Sequence, residues 1–338
     1  MMNVKICLIG KGIVGSSLLQ LLNEKKQFFK QKFNLEFRVN SIFEIDGALI
    51  NEKGIDLKEI LDVGDDFRNL PYWRRDVKAV DLISKLGVDI CIETTPTNPN
   101  TGEPGLSHII EALNNHIDVI SSNKGPFYLD YNKIKKLAEQ NKCYVKYEAT
   151  VTSCVPSLRI KEDLIGNEIL SIKAILNGTS NYILSRMTAE GVNFPLALKE
   201  AQELGYAESD PTLDINGYDA AGKLVILANE LLGWSKSIND VKVEGISKIT
   251  PHAIELVKPD GFVIKHLAIA ENNELSVEPR LIDKYSPLNI SGNLNVVELE
   301  TKYAGPIILM GRGAGGFEAA SAIINDLIDI TRKKGYSP

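Results

Sequence analysis

The chain has 338 residues, 44% hydrophobic and 24% charged, the balance of a folded globular protein and not of a disordered or collagen-like one. Its 38 basic and 44 acidic residues leave a net charge of −6, so electrostatics do not draw this surface onto nucleic acid. Cys7, Cys91, Cys143 and Cys154 form neither a disulfide framework nor a metal-ligand spacing, no apolar run approaches 18 residues, and no signal stretch precedes the first strand; the expectation is a reduced, soluble, cytoplasmic protein of about two domains.

The first half alternates apolar runs with amphipathic stretches. Val4–Gly10 predicts a buried strand, and Gly12–Lys26 a helix with Ile13, Leu18, Leu19 and Leu22 on one face. Phe37–Phe43 predicts a second strand, and the less regular Asn51–Arg75 an excursion. A helix over Asp76–Leu86, a strand over Val88–Glu93, a helix over Gly105–Asn115 and a strand over Ile117–Ser122 follow. A helix over Leu129–Gln140 and a strand over Cys143–Tyr147 complete the series. Such alternation predicts a parallel sheet covered on both faces.

After about residue 150 helices dominate from Thr179 to Leu232, including Pro195–Leu204 and Gly217–Leu231. Alternating runs at Phe262–Ala270, Leu275–Ile282, Asn295–Thr301 and Pro306–Met310 predict an antiparallel sheet, and Phe317–Thr331 a closing helix. The fold class is therefore α/β, a doubly wound parallel sheet plus an α+β domain with an antiparallel sheet.

Gly10-Lys11-Gly12-Ile13-Val14-Gly15 matches GxGxxG between a strand and a helix, the Rossmann context that gives the motif meaning. Gly10 permits the tight turn, Gly12 the approach of a pyrophosphate, and Gly15 close helix–strand packing; the anion would lie on the helix N-terminus. Glu44 and Asp46, near the end of the second strand, favour the ribose hydroxyl of NAD, whereas Lys53 would suit the 2′-phosphate of NADP, and the choice stays open. A second match, Gly311–Gly316, is either a helix-start turn over the first site or a structural turn.

Between 177 and 223 polar residues are dense. Asp219 and Lys223 stand at i,i+4 near the start of a helix with apolar flanks, unlike a solvated surface pair. A calcium loop fails, because Thr212 and Lys223 fall where aspartate and glutamate ligands belong. Thr179 or Ser180 is the expected cap of a helix opening at Asn177-Gly178. Lys124, just past the strand Ile117–Ile120, is placed where an open parallel sheet borders its ligand crevice.

The Gly10–Gly15 loop, Ser122-Asn123-Lys124, Glu148–Val151, Asn177–Asn181, Gly205–Pro211, Asp214–Lys223 and Gly311–Gly315 occur in the order found in homoserine dehydrogenases, which the sequence resembles over nearly its whole length. The resemblance implies NAD- or NADP-dependent interconversion of L-aspartate 4-semialdehyde and L-homoserine on the way to threonine and methionine. It implies a nucleotide-binding domain at 1–150 completed by about 305–338, and a catalytic and dimerisation domain at 151–304. By position, Lys223, Asp219 and Lys124 are catalytic, and Glu208, Asp214, Gly178 and Thr179 bind substrate. Gly10, Gly12, Ile13, Val14, Gly15, Glu44, Thr95, Lys124 and Gly313 meet the cofactor. Glu148, Val151, Ser153 and Val155 fall on a loop that in some members holds a monovalent cation, Na⁺ or K⁺, through carbonyls. The expected partners are a small amino-acid substrate and a second copy of the chain. Gly222 stands where an arginine is common, and Glu44-Ile45-Asp46 replaces a stretch that often carries a basic or hydroxyl residue. No kinase segment precedes the glycine loop and no regulatory domain follows Pro338, so feedback through such a domain is not expected.

Two other readings compete. An aspartate-semialdehyde dehydrogenase would need Cys154 as nucleophile with a histidine base, yet none of His108, His116, His252 or His266 has a suggestive context. A non-catalytic NAD(P)-binding sensor would not need Lys124, Asp219 and Lys223.

Overall fold

The computed structural model describes residues 1–335 and divides the chain into two units, 1–150 with the segment from Gly315, and 151–314. The last three residues of the segment expected at 305–338 lie outside the described residues.

In the first unit, β1 (Met2–Ile9) is apolar and buried on both faces over Ile6–Ile9, as a strand covered on both sides is. It leads to α1 (Ile13–Glu24), which buries Gly15, Leu18, Leu19 and Leu22 at helical spacing, and to α2 (Lys26–Phe33). Next come β2 (Leu35–Glu44), β3 (Gly47–Ile50), α3 (Leu57–Val63) and β4 (Trp73–Arg75). The remainder is α4 (Ala79–Leu82), β5 (Ile90–Glu93), α5 (Gly105–Asn114), β6 (Asp118–Ser121), α6 (Gly125–Gln140) and β7 (Val145–Lys146). The sheet order is β4-β3-β2-β1-β5-β6-β7, parallel from β2 to β7, with β3 and β4 added antiparallel at one edge. The direction of winding reverses between β1 and β5, the switch point at which such sheets bind ligands. One core joins Ile6, Leu8, Leu18, Leu19, Phe29, Ile90 and Ile92 to Ala320, Ile323 and Leu327 of the C-terminal helix, Gly316–Lys333. Each of the Ile, Leu and Phe side chains contributes about 1.5–3 kcal/mol on burial.

The second unit holds α7 (Ile160–Asp163), β8 (Ile169–Ile175), α8 (Gly178–Glu190), α9 (Phe194–Glu203), α10 (Thr212–Ile215) and α11 (Tyr218–Leu231). After these come β9 (Val241–Val243), α12 (Pro251–Val257), β10 (Phe262–Glu271), β11 (Glu274–Asp283), β12 (Leu294–Thr301) and β13 (Gly305–Arg312). Its sheet runs β13-β12-β8-β10-β11-β9, with β8 pairing antiparallel to both β12 and β10. Ile183, Leu184 and Met187 of α8 pack on Ala197, Ala201, Ile254 and Ile264.

The structure departs from the sequence reading in places with local causes. The predicted Gly12–Lys26 helix breaks at Lys25, which caps one helix and opens the next. Asp76–Leu86 forms only one α-turn and a 3₁₀ turn, and Cys143–Tyr147 shrinks to two paired residues. The apolar run Ile169–Leu176 is a strand at the centre of the second sheet, an assignment that only its pairing partners fix. Residues 305–312, expected to rejoin the first unit, pair with β12, and the return begins at Gly315.

Candidate active site

The glycine loop shows why its residue types are required. Gly10 has φ +94°, and a Cβ at Gly15 would stand 2.1 Å from the Gly10 carbonyl, so helix and loop meet only without side chains. A Cβ on Gly12 would meet nothing within 4 Å, which leaves open space where a pyrophosphate would approach. Gly12 caps α1 without a side-chain hydrogen bond, and Ile13 beside it is exposed. The free N–H groups and helix dipole suit an anion there. The Thr94 hydroxyl fixes the loop by donating to the carbonyls of Ile9 (3.0 Å) and Gly10 (2.7 Å). Glu44, at the end of β2, accepts from the Lys11 N–H. The residues present thus fit a dinucleotide.

Past the ends of β5 and β6 lies a polar network. Glu93 is fully buried, and burial pushes its carboxyl upward while the Thr95 N–H donates to it at 2.7 Å. The Asn123 side chain donates to Glu93 (3.4 Å) and to the Thr95 hydroxyl (3.2 Å), and accepts from the Gly125 N–H (3.1 Å). Thr95 and Lys124 are thereby held at this end of the sheet, Lys124 half-buried as the cap of α6.

The second unit gathers the other constellation. Lys223 is 8% exposed; its ammonium lies 2.8 Å from Asp219 and donates to the Leu176 carbonyl at 2.8 Å. Three donors and two such acceptors leave one N–H for a third group. Asn177 donates to Asp214 (2.7 Å) and Asp219 (3.0 Å), and its side-chain oxygen accepts from the Ser180 N–H. The cap of α8 is therefore Asn177, not Thr179 or Ser180. Thr179 instead ties the following loop, donating to the Tyr206 carbonyl at 2.6 Å, and Glu208 on that loop is exposed. Gly217, at φ +89°, starts α11 one residue later than the sequence suggests and lies against His266, whose Nε2 is 2.9 Å from the Glu244 carbonyl.

Asn177 and Asn123 are the residues that sequence reasoning under-reads; each lies within a motif named above, but the motif alone gives neither a role. Gly313 is placed against Asn295 in the second unit, and Gly315 starts the C-terminal helix. Val151, Ser153 and Val155 belong to the second unit, Ser153 with φ +52°, whereas Glu148 is buried in the first, its N–H donating to Asp326. Among the described residues no cluster of His, Cys, Asp and Glu could hold a metal ion, and no helix is long and apolar enough to cross a membrane. Cys7 and Cys91 are buried, and Cys154 is exposed.

A dinucleotide-type sheet with its glycine loop, joined in one chain to an α+β unit bearing a buried lysine–aspartate pair, defines an NAD(P)-dependent oxidoreductase. Residues 156–328, more than half of the chain, match the homoserine dehydrogenase family model. A homoserine dehydrogenase of Methanocaldococcus jannaschii is 44% identical over 96% of this chain and 98% of its own. An NAD(+)-dependent homoserine dehydrogenase of Pseudomonas canavaninivorans is 36% identical over the whole of both chains. The structure of a hyperthermophilic archaeal homoserine dehydrogenase in complex with NADPH superposes with a TM-score of 0.84 at 28% identity, covering 98% of each chain. The chain belongs to the homoserine dehydrogenase family.

Proposed function

We propose that this chain catalyses the reversible, NAD(P)H-dependent reduction of L-aspartate 4-semialdehyde to L-homoserine, with Lys223 as proton donor to the aldehyde oxygen. The observation that carries this reading is the buried Lys223–Asp219 pair, fixed by Leu176 and by the Asn177 side chain. A reduced nicotinamide, when bound, supplies the hydride. An alkoxide developing on the substrate needs a proton and positive charge, and one ammonium provides both. Asp219 orients that ammonium and balances its charge at a site with little water to do so.

Glu208 and Asp214 bind the substrate ammonium, and the N–H groups of Gly178 and Thr179 at the start of α8 bind its carboxylate. Gly10, Gly12, Ile13, Val14, Gly15, Glu44, Thr95, Lys124 and Gly313 are assigned to the coenzyme, and the family resemblance also gives Lys124 a share in the reaction. The Val151–Val155 turn is the segment on which a carbonyl-lined Na⁺ or K⁺ site would rest; exchanging K⁺ for choline in the assay tests it. The enzyme works as a cytoplasmic homodimer. β13 supports the dimer, since this edge strand exposes Ile308 and Met310. Light scattering of the purified protein checks the oligomer.

The experiment for the main reading is the loss of reduced-nicotinamide absorbance on adding L-aspartate 4-semialdehyde. Turnover that yields homoserine is expected; binding of the coenzyme without turnover would leave a sensor instead. Full activity after alkylation of Cys154 excludes a thioester route.

A further inference from the structure

The coenzyme's ribose is where this chain makes a choice. β2 ends at Glu44, and a two-residue turn, Ile45–Asp46, leads into β3. The Gly10 N–H donates to the Phe43 carbonyl at 2.8 Å, so the glycine loop and the end of β2 are held side by side. From there the Glu44 carboxylate reaches back over the loop to the Lys11 N–H. One carboxylate oxygen is thereby fixed, and the group keeps lone pairs for a further donor.

Two basic side chains nearby, Lys11 and Arg68, are already engaged. Lys11 donates its ammonium to the Gly64 carbonyl at 3.2 Å and lies 4.7 Å from the Phe67 ring centre. The Arg68 guanidinium is bidentate on Asp46, at 2.7 and 3.1 Å, and stacks 4.6 Å from the same ring. That bond holds the Asp46 carboxyl below its ordinary range, with Arg75 adding to the field. Lys53, the residue that would suit a 2′-phosphate, lies elsewhere: it lines a depression with Lys26, Phe37, Arg38 and Asp56 at the other end of β2. Ile45, the residue after Glu44, is fully exposed and apolar.

We infer that Glu44 makes this enzyme select NAD(H) over NADP(H). Its carboxylate accepts the 2′-hydroxyl of the adenosine ribose. A 2′-phosphate would set a second anion against that carboxylate, while the Lys11 ammonium is committed to Gly64 and the Arg68 guanidinium to Asp46. The inference rests on the oxidoreductase reading above and adds to it which coenzyme the chain prefers.

The test is direct binding, by fluorescence titration of the full chain with NADH and with NADPH, without substrate. The expected Kd for NADH is lower than that for NADPH by at least about tenfold. Glu44→Gln keeps an acceptor for the Lys11 N–H and should bring the two within about threefold. Adding Ile45→Arg to that variant should reverse the order, because a guanidinium beside the ribose holds the phosphate. Equal or tighter NADPH binding by the unmodified chain overturns the inference while leaving the reductase reading intact. An unchanged Kd ratio in a folded Glu44→Gln variant overturns it as well. Failure to bind either dinucleotide overturns both.

Discussion

Lys223 is buried with the Asp219 carboxylate beside it and is not among the residues assigned to the coenzyme, so its substitution separates chemistry from coenzyme binding. Lys223→Ala should lower kcat by about 10²–10⁴ while NADH affinity, measured by fluorescence, stays as it was. Near-normal turnover would remove Lys223 from the reaction. Asn177 tests the support of that group: its side chain caps α8 and bridges Asp214 and Asp219. Asn177→Ala should cost about 1 kcal/mol from the cap alone and leave two carboxylates without their shared donor. The expected readings are a lower Tm and a fall in kcat/KM of more than about tenfold, a loss of about 1.4 kcal/mol in transition-state binding. A fall in Tm with kcat/KM unchanged would make Asn177 a cap and nothing more. The i,i+4 spacing made the Asp219–Lys223 pair readable in advance. The bridge from Asn177 was not readable, because its acceptors lie 37 and 42 residues further along the chain.

At the scale of elements, the glycine loop is the most legible part of the chain, since each glycine answers a local steric demand. Gly15→Ala sets a methyl 2.1 Å from the Gly10 carbonyl, so either α1 or the loop must move. The expected cost is about 1–3 kcal/mol, with weaker NADH binding, measurable by denaturant unfolding and by titration. A Gly15→Ala variant that binds NADH as the parent does would show that the loop geometry is not needed. Where periodicity is short the sequence misled: Asp76–Leu86 has apolar residues at helical spacing, yet Ala79–Leu82 is a single turn. An isolated turn of that length has little stability of its own, so packing decides its extent.

Across the whole first unit, the chain end matters as much as its start. The C-terminal helix enters the core of the N-terminal sheet and carries Asp326 into it. Burial, with Glu148 nearby, pushes the Asp326 carboxyl up to about 8, from 3.8. Between those values the folded protein keeps a proton that the unfolded chain releases. Stability therefore declines as pH rises through this window, by up to about 1.4 kcal/mol per unit, and levels off above it. Asp326→Asn retains an acceptor for the Glu148 N–H and removes the titration. Its Tm should vary less than the parent's between about pH 5 and 8 and exceed it at the upper end. Parallel Tm profiles for the two proteins would exclude Asp326 as the source.

Sequence alone determined the alternation of strand and helix, the glycine loop and the lysine–aspartate pair, because these depend on neighbours within a few residues. Tertiary structure decided which strand stands at the centre of the second sheet, that β13 stays with β12, and that Asn177 links two carboxylates. Those outcomes turn on pairing and burial between residues far apart in the chain, and no local pattern encodes such partners.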